Sequence, residues 1–277
     1  YSMPCRFKFI GTGGALFAEL GITFVLLIIT FGLYGPWFVC RFQKWWTQKI
    51  KLGFSNGKKV SFDFQGKGGE FFVTYLVGYL LTAVTLGLYG PFFVVNQLKF
   101  FINHTAGKTG DGRTVHLSFG GSGGELFVNV VLGILLTLIT FGFYFPWFYC
   151  SLIRWGLNNT KVNVQGHGAL QPSFEGRGGQ LLGTFVVGYI LSVVTLGLYS
   201  FWLQVDLFKF LYGNTKVTSP SRQRYSGDFS GTGGENLMVT LKGMILCCVT
   251  LGIYVFWFVV EQSKFQLDNI DVAHDRS

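Results

Sequence analysis

Long apolar runs alternate with short polar stretches along the whole chain. Residues 59–64 alternate polar and apolar side chains, which is the period of a β-strand. Residues 71–86 are predominantly apolar and end at Gly87, which predicts a helix with a glycine at its end. After an aromatic turn, residues 91–103 are apolar for two turns and then polar. The pattern predicts a strand, an apolar helix, an aromatic turn, a shorter amphipathic helix and another strand.

This order of elements recurs five times with a step of 55 residues, without insertion or deletion. We interpret a recurring pair of glycines as the start of each apolar helix: Gly13, Gly14, Gly68, Gly69, Gly123, Gly124, Gly178, Gly179, Gly233 and Gly234. A Gly-x-Tyr triplet marks a structural turn at Gly32, Tyr34, Gly87, Tyr89, Gly142, Tyr144, Gly197, Tyr199, Gly252 and Tyr254. The prediction is a single repeat domain with repeats at approximately 6–55, 56–110, 111–165, 166–220 and 221–277.

Equal repeats favour a closed ring over an open spiral. Open solenoids usually carry atypical caps and tolerate insertions between repeats, and the chain shows neither. A ring would bring residues 265–272 beside residues 6–9. An Asn56-Gly57 signal between two alternating segments predicts a β-hairpin at the first joint, and the other joints have comparable turn residues. We therefore expect a pseudo-fivefold ring with a collar of short β-hairpins, and an open spiral is the alternative.

The composition favours a membrane protein. Hydrophobic residues make up 49% of the chain and charged residues 13%, against about 25% charged residues in soluble domains. An apolar helix of the predicted length is about 25 Å long, slightly short of the roughly 30 Å hydrocarbon core of a bilayer. The predicted fold class is therefore a mainly α-helical integral membrane protein. Each of its five repeats would be a two-helix membrane hairpin with short β-strands.

The basic residues lie mostly in the joints between repeats, and the formal net charge is +9. The positive-inside rule places joints of this kind in the cytoplasm, so we expect a multi-pass protein with both termini cytoplasmic. Anionic membrane lipids are the expected partner. Lateral self-association or packing against another membrane complex is a further expectation, and nucleic acid binding is not expected.

A cation stands thirty residues after the second glycine of every pair. This cation column consists of Lys44, Lys99, Arg154, Lys209 and Lys264. A charge near mid-bilayer costs about 2.5–3.5 kcal/mol and usually faces a bundle interior or a water-filled cavity. The column could line an anion path, reach lipid headgroups from shallow hairpins, or be structural. Asp206 and Glu261 stand three residues before Lys209 and Lys264 and could neutralise them.

Catalytic, cofactor and metal motifs are weak, so we expect neither an enzyme nor a cofactor. The Gly-x-Gly-Gly turn lacks the third glycine of a dinucleotide fingerprint and the Gly-Lys-Ser/Thr of a P-loop. Glu70 and its two equivalents suit a helix start, where a carboxylate offsets the helix dipole. The four histidines occupy different positions of the repeat, which argues against a metal site. Lys242 replaces an apolar residue of the other repeats and marks either a functional contact or a snorkelling side chain.

Two motifs together carry a family resemblance. Residues 119–127 read Phe-x-Gly-x-Gly-Gly-Glu-Leu-Phe, and a Thr-x-Gly-x-Tyr turn follows. The combination resembles the YjgN-like family of bacterial membrane proteins, domain of unknown function 898, over essentially the whole chain. The resemblance implies an inner-membrane protein and brings no activity or catalytic residue with it. We predict a small-solute or anion pathway lined by the cation column, with a non-conducting, membrane-shaping or accessory scaffold as the alternative.

Overall fold

The chain folds as helices packed against one closed antiparallel sheet. The computed structural model describes residues 5–54, 57, 59–166 and 168–274. In this part of the chain the strands are β1 (Cys5–Phe9), β2 (Ile50–Phe54), β3 (Lys59–Phe64), β4 (Thr105–Thr109), β5 (Thr114–Phe119), β6 (Thr160–Val164), β7 (Gly168–Phe174), β8 (Thr215–Thr218), β9 (Arg224–Phe229) and β10 (Ile270–His274). Several predicted features lie outside the described residues: Asn56 of the predicted turn, His167, and the predicted repeat boundaries at 55, 56 and 277.

A pair of helices follows every odd-numbered strand. The first helices are α1 (Gly13–Ile29), α3 (Gly68–Val84), α5 (Gly123–Ile139), α7 (Gly178–Val194) and α9 (Gly233–Val249). The second helices are α2 (Gly35–Lys49), α4 (Gly90–Asn103), α6 (Phe145–Asn158), α8 (Ser200–Gly213) and α10 (Val255–Asp268). Both sets begin with a regular step of 55 residues along the chain.

Every strand of the sheet pairs with a neighbour on each side. Adjacent repeats are joined by hairpins such as β2–β3, and the two strands that flank one helix pair also pair with each other, as β1 does with β2. The two ends of the chain meet where Cys5 lies opposite Val272 and Arg6 lies opposite Asp271. The described strands thus form a closed sheet without an unpaired edge.

Aromatic residues fill the junction between the sheet and the helices. The last residue of each odd-numbered strand is a buried phenylalanine: Phe9, Phe64, Phe119, Phe174 and Phe229. Each of these rings packs on the aromatic residue that follows a cation of the column, as Phe64 does on Phe100 with 6.0 Å between ring centroids. A Cβ atom at Gly66 would stand 2.9 Å from the Phe100 ring. The glycine of the Phe-x-Gly motif is therefore required by this aromatic packing.

The helices pack side by side in chain order. The two helices of each repeat contact each other, and each first helix also contacts the second helix of the preceding repeat. The same contact joins α1 to α10. Gly68 of α3 lies against Trp37 of α2, and Gly13 of α1 lies in the same way against Trp257 of α10.

The predicted fold class is wrong. The short strands are not a collar of separate hairpins on a ring of membrane helices, because they join into one closed ten-stranded sheet that organises the molecule. The outer backbone N–H and C=O groups of an isolated hairpin have no strand partner. Pairing between the two strands that flank a helix pair gives these groups their hydrogen bonds. Among the described residues, no helix combines the length and the apolar character needed to cross a membrane.

Candidate functional site

The two helices of each repeat are joined by a turn of defined geometry. In the second repeat Leu86 adopts a left-handed conformation with φ of 52°. Its N–H donates to the Ala83 carbonyl at 3.2 Å, and the Gly87 N–H donates to the Thr82 carbonyl at 2.8 Å. These are the two hydrogen bonds of a Schellman motif. Gly87 follows with φ of 93°, a conformation that favours glycine.

A threonine and a tyrosine complete this turn. Thr85 Oγ1 donates to the Leu81 carbonyl at 2.7 Å and accepts from the Tyr89 N–H at 3.0 Å. The same two bonds are made by the equivalent threonines Thr30, Thr140, Thr195 and Thr250. The predicted turn residues Gly32, Tyr34, Gly87, Tyr89, Gly142, Tyr144, Gly197, Tyr199, Gly252 and Tyr254 all lie in turns of this kind. Their geometry accounts for them as structural residues.

The left-handed residue of each turn is large, apolar and exposed. These tip residues are Phe31, Leu86, Phe141, Leu196 and Leu251, with φ of 48–52° and 94–98% of their surface exposed. Glycine is the usual residue at this position, and another residue there costs about 1–2 kcal/mol. Sequence reasoning missed the tip residues. The available signal was an apolar residue directly before the glycine of each turn.

The exposed apolar surface continues from the tip residues along the first helices. Ile22, Val84 and Ile139 are between 72% and 80% exposed, and comparable side chains recur in every repeat. We call the tip residues and these exposed apolar side chains the apolar end. Contiguous exposed apolar surface on this scale marks a protein or membrane interaction site.

The residues of the cation column have different surroundings. Arg154 donates from Nη2 to the Gly176 carbonyl at 2.7 Å and from Nε to the Phe174 carbonyl at 3.3 Å, which ties α6 to the next repeat. Lys99 lies in an open groove between α3 and α4. Lys44 and Lys209 are exposed, and Lys264 is half-buried. Within the described chain, the three lysines Lys44, Lys99 and Lys209 make no ion pair.

An ion pair distinguishes the fifth repeat from the others. Lys242 Nζ lies 2.7 Å from Glu261 Oε1, and the Tyr254 hydroxyl donates to the same oxygen at 3.1 Å. The predicted pairing of Glu261 with Lys264 is therefore wrong, because Glu261 reaches across to α9. Between Asp206 and Lys209 no ion pair is present in the described structure either. Lys242 is thus held by a contact between the two helices of its own repeat.

The two glycines of each helix start have different surroundings. The first ones, Gly13, Gly68, Gly123, Gly178 and Gly233, lie against an aromatic ring of the preceding repeat or, for Gly13, of the fifth. The second ones, Gly14, Gly69, Gly124, Gly179 and Gly234, have open space where a Cβ atom would stand. Glu235 and Thr232 form a reciprocal capping box at one helix start, with bonds of 3.0 and 3.3 Å. This is the helix-start role expected for the glutamate.

One face of the closed sheet is basic. Lys8 lies directly opposite Lys51, and Ser61 stands between Lys51 and Lys108 in the neighbouring strands. Like charges directly opposite each other on a sheet are destabilising. Among the described residues Lys8, Lys51 and Lys108 have no acidic partner. These lysines therefore leave this face with an excess of positive charge.

Among the described residues, the cysteines and histidines show no metal-binding arrangement. Burial raises the pKa of the Cys5 thiol, and burial together with Glu70 raises the pKa of Cys40 to about 11. Cys5, Cys40 and Cys150 are buried, whereas Cys248 near the end of α9 is exposed. Nowhere in the described ranges do three or more His, Cys, Asp or Glu side chains form a group that could hold a metal.

Comparisons with known proteins show which family the chain resembles. The family described as "Bacterial protein of unknown function (DUF898)" matches residues 59–109 and 169–228. In these two segments the chain is similar to the DUF898 family. This confirms the resemblance seen in the motifs. The first matched segment lies in the second repeat, and the other runs from the fourth repeat into the start of the fifth.

A curated protein similar to this chain is the Inner membrane protein YjgN of Salmonella typhimurium. The two are 33% identical over 78 residues. The aligned stretch covers 28% of this chain and 18% of the relative. No solved structure matches the chain.

Proposed function

We propose that the protein is a non-conducting, non-enzymatic scaffold of the bacterial inner membrane that enters the lipid by its apolar end. The observation that carries this proposal is the set of five tip residues, each left-handed and 94–98% exposed. Glycine would relieve the backbone cost of about 1–2 kcal/mol at each tip. Burying a leucine or phenylalanine in hydrocarbon contributes about 1.5–3 kcal/mol, which offsets that cost only if the tip is inserted.

The charge distribution and the relative support the same placement. Lys8, Lys51 and Lys108 lie on the basic face of the sheet, where each lysine near an anionic surface contributes about 1 kcal/mol. We assign the sheet and both chain ends to the cytoplasmic side, because basic residues are enriched there in membrane proteins. The relative with the aligned stretch is named an inner membrane protein, which favours this location for the present chain.

An anion pathway lined by the cation column has less support. Arg154 is engaged with backbone carbonyls of the next repeat, and Lys99 lies in a groove between two helices of one repeat. A conducting ring would need equivalent cations that face one hydrated axis. We therefore expect no halide flux through liposomes that contain the protein, and flux that depends on Lys99 and Arg154 would favour the pathway instead.

A triple substitution at the tips tests the proposal. We expect Leu86→Gly, Leu196→Gly and Leu251→Gly together to weaken flotation with liposomes by at least about a hundredfold, since three buried leucines are lost. The melting temperature in non-ionic detergent should stay equal or rise, because glycine suits the left-handed position. The measurement is flotation in a density gradient after detergent removal.

The matched control places phenylalanine at the same three positions. Repeats one and three already carry Phe31 and Phe141 there, so this variant keeps both the fold and the apolar tips. It should float like the unaltered protein. Undiminished flotation of the glycine variant would refute insertion by the tips.

A further inference from the structure

The second repeat contains a groove between α3 and α4. Its volume is about 420 Å³, within the range of roughly 300–1,000 Å³ typical of small-molecule sites. Val73, Val77 and Gly78 supply an apolar wall from α3. The groove is open to the surface of the molecule, so a ligand can enter it.

Polar groups converge on the same groove from α4 and its turn. Tyr89, Asn96 and Lys99 line it. Their side-chain polar atoms form no hydrogen bond or ion pair with any other residue that the structure describes. Lys99 therefore presents one unpaired positive charge beside two neutral hydrogen-bonding groups and an apolar wall. This combination is complementary to a monoanion with an apolar chain.

The fifth repeat has an ion pair at the positions equivalent to two residues of this groove. Glu261 replaces Asn96 and Lys242 replaces Val77 at positions three repeat steps away. The Glu261 carboxylate accepts from the Tyr254 hydroxyl at 3.1 Å and from Lys242 Nζ at 2.7 Å. Tyr254 is the equivalent of Tyr89, so the turn tyrosine can reach a carboxylate in this place. In the fifth repeat the protein itself supplies a carboxylate to the turn tyrosine. The second repeat has Asn96 at the equivalent position, so a carboxylate there would have to come from a ligand.

We propose that the groove between α3 and α4 binds a single-chain carboxylate amphiphile, such as a long-chain fatty acid. The carboxylate bonds to the Tyr89 hydroxyl, the Asn96 amide and the Lys99 ammonium group, and the chain lies against Val73 and Val77. One cation matches one carboxylate charge. This proposal rests on the proposed function, because a groove next to lipid is exposed to amphiphiles. Binding of the carboxylate itself needs no bilayer and can be measured in detergent.

The test uses a fluorescent fatty acid and a fluorescent fatty alcohol of equal chain length, with the full chain in non-ionic detergent. The protein should bind the acid at least tenfold more tightly than the alcohol. Val77→Lys with Asn96→Glu transfers the ion pair of the fifth repeat into the groove and should weaken acid binding at least tenfold. Lys99→Gln should also weaken acid binding, although it introduces no new ion pair. This single variant keeps the proposal testable if the double variant does not fold.

The matched control makes the same change in the third repeat, as Leu132→Lys with Ser151→Glu, where Arg154 is already held by backbone carbonyls. It should bind the acid like the unaltered protein. Equal binding of acid and alcohol, or unchanged acid binding by both groove variants, would overturn the proposal. The groove variants should float with liposomes like the unaltered protein. If instead the proposed membrane insertion is wrong, flotation fails while acid binding in detergent remains.

Discussion

At the scale of single residues, glycines in the first helices make room for rings of the second helices. Gly133 of α5 lies against the ring of Phe148, and a side chain at this position would overlap that ring. Gly78 and Gly243 have the same relation to Phe93 and Phe258. The absence of a side chain thus sets the distance between the two helices of a repeat.

Alanine substitutions at two glycines of α5 test this packing. Gly133→Ala should lower the free energy of unfolding by about 1–3 kcal/mol, because the methyl group forces the Phe148 ring to move. Gly124→Ala is the control, since nothing lies within 4 Å of a side chain there, and it should be neutral or stabilise by up to about 1 kcal/mol. Urea unfolding in one non-ionic detergent measures both, and equal effects would contradict the role of Gly133 in packing.

The spacing of these glycines is visible in the sequence, but their partner rings are not. The recurrence of Gly78, Gly133, Gly188 and Gly243 at one depth is a regular pattern. Which side chain fills each space, a phenylalanine ring or, at Gly188, the Leu203 side chain, depends on how the second helix returns. The same limit applies to Glu261, whose partner Lys242 lies nineteen residues before it on another helix, although Lys264 is nearer along the chain.

At the scale of elements, the turn between the helices is the most regular unit of the molecule. Its threonine hydroxyl both donates to a helix carbonyl and accepts the N–H of the turn tyrosine. That tyrosine N–H belongs to the start of the second helix, where backbone donors lack helical partners. The hydroxyl therefore connects the end of one helix to the start of the next.

Thr85→Val removes this connection while keeping the size of the side chain. The Tyr89 N–H loses its acceptor, so we expect a loss of about 1–3 kcal/mol in the free energy of unfolding. Thr82→Val is the control, because the Thr82 hydroxyl only donates to the Gly78 carbonyl and no donor is left without a partner. Thermal unfolding should separate the two, and an equal or smaller effect of Thr85→Val would contradict the role of the hydroxyl.

The strands were predictable individually, but the sheet that they form was not. Alternation of side chains and turn residues indicates the hairpin of β2 with β3. The pairing of β1 with β2 joins Phe9 to Ile50 across a complete helix pair. No local pattern encodes such a long-range pairing, so the strands read as a peripheral collar and the fold class was predicted wrongly.

At the scale of the whole molecule, closure of the sheet joins the two ends of the described chain. Cys5 lies opposite Val272, and the Asp268 carboxylate accepts the Phe9 N–H at 2.7 Å. Arg6 adds a charged contact to Asp271 at 3.3 Å. The pair is largely exposed, so its contribution is about 0–1 kcal/mol, and the strand pairing itself carries the closure.

A disulfide across this seam tests closure directly. Because Cys5 and residue 272 are direct cross-strand neighbours, Val272→Cys should form a disulfide with Cys5 under mild oxidation. The linked protein should migrate faster on a non-reducing gel and revert on reduction. Val272→Cys with Cys5→Ser should not change its migration, and absence of the cross-link in folded protein would argue against closure.

The most direct test of membrane insertion is the environment of the exposed Cys248, three residues before the tip residue Leu251. In a Cys247→Ser background Cys248 is the accessible thiol, since Cys5, Cys40 and Cys150 are buried. A polarity-sensitive fluorophore is attached to Cys248, and its emission is measured in liposomes. The comparison is the same label on the sheet, attached to Lys161→Cys in a Cys247→Ser, Cys248→Ser background. Insertion of the apolar end predicts blue-shifted emission and protection from iodide quenching at Cys248, with aqueous emission at position 161. Equal quenching and equal emission at both sites would contradict insertion of the apolar end into the membrane.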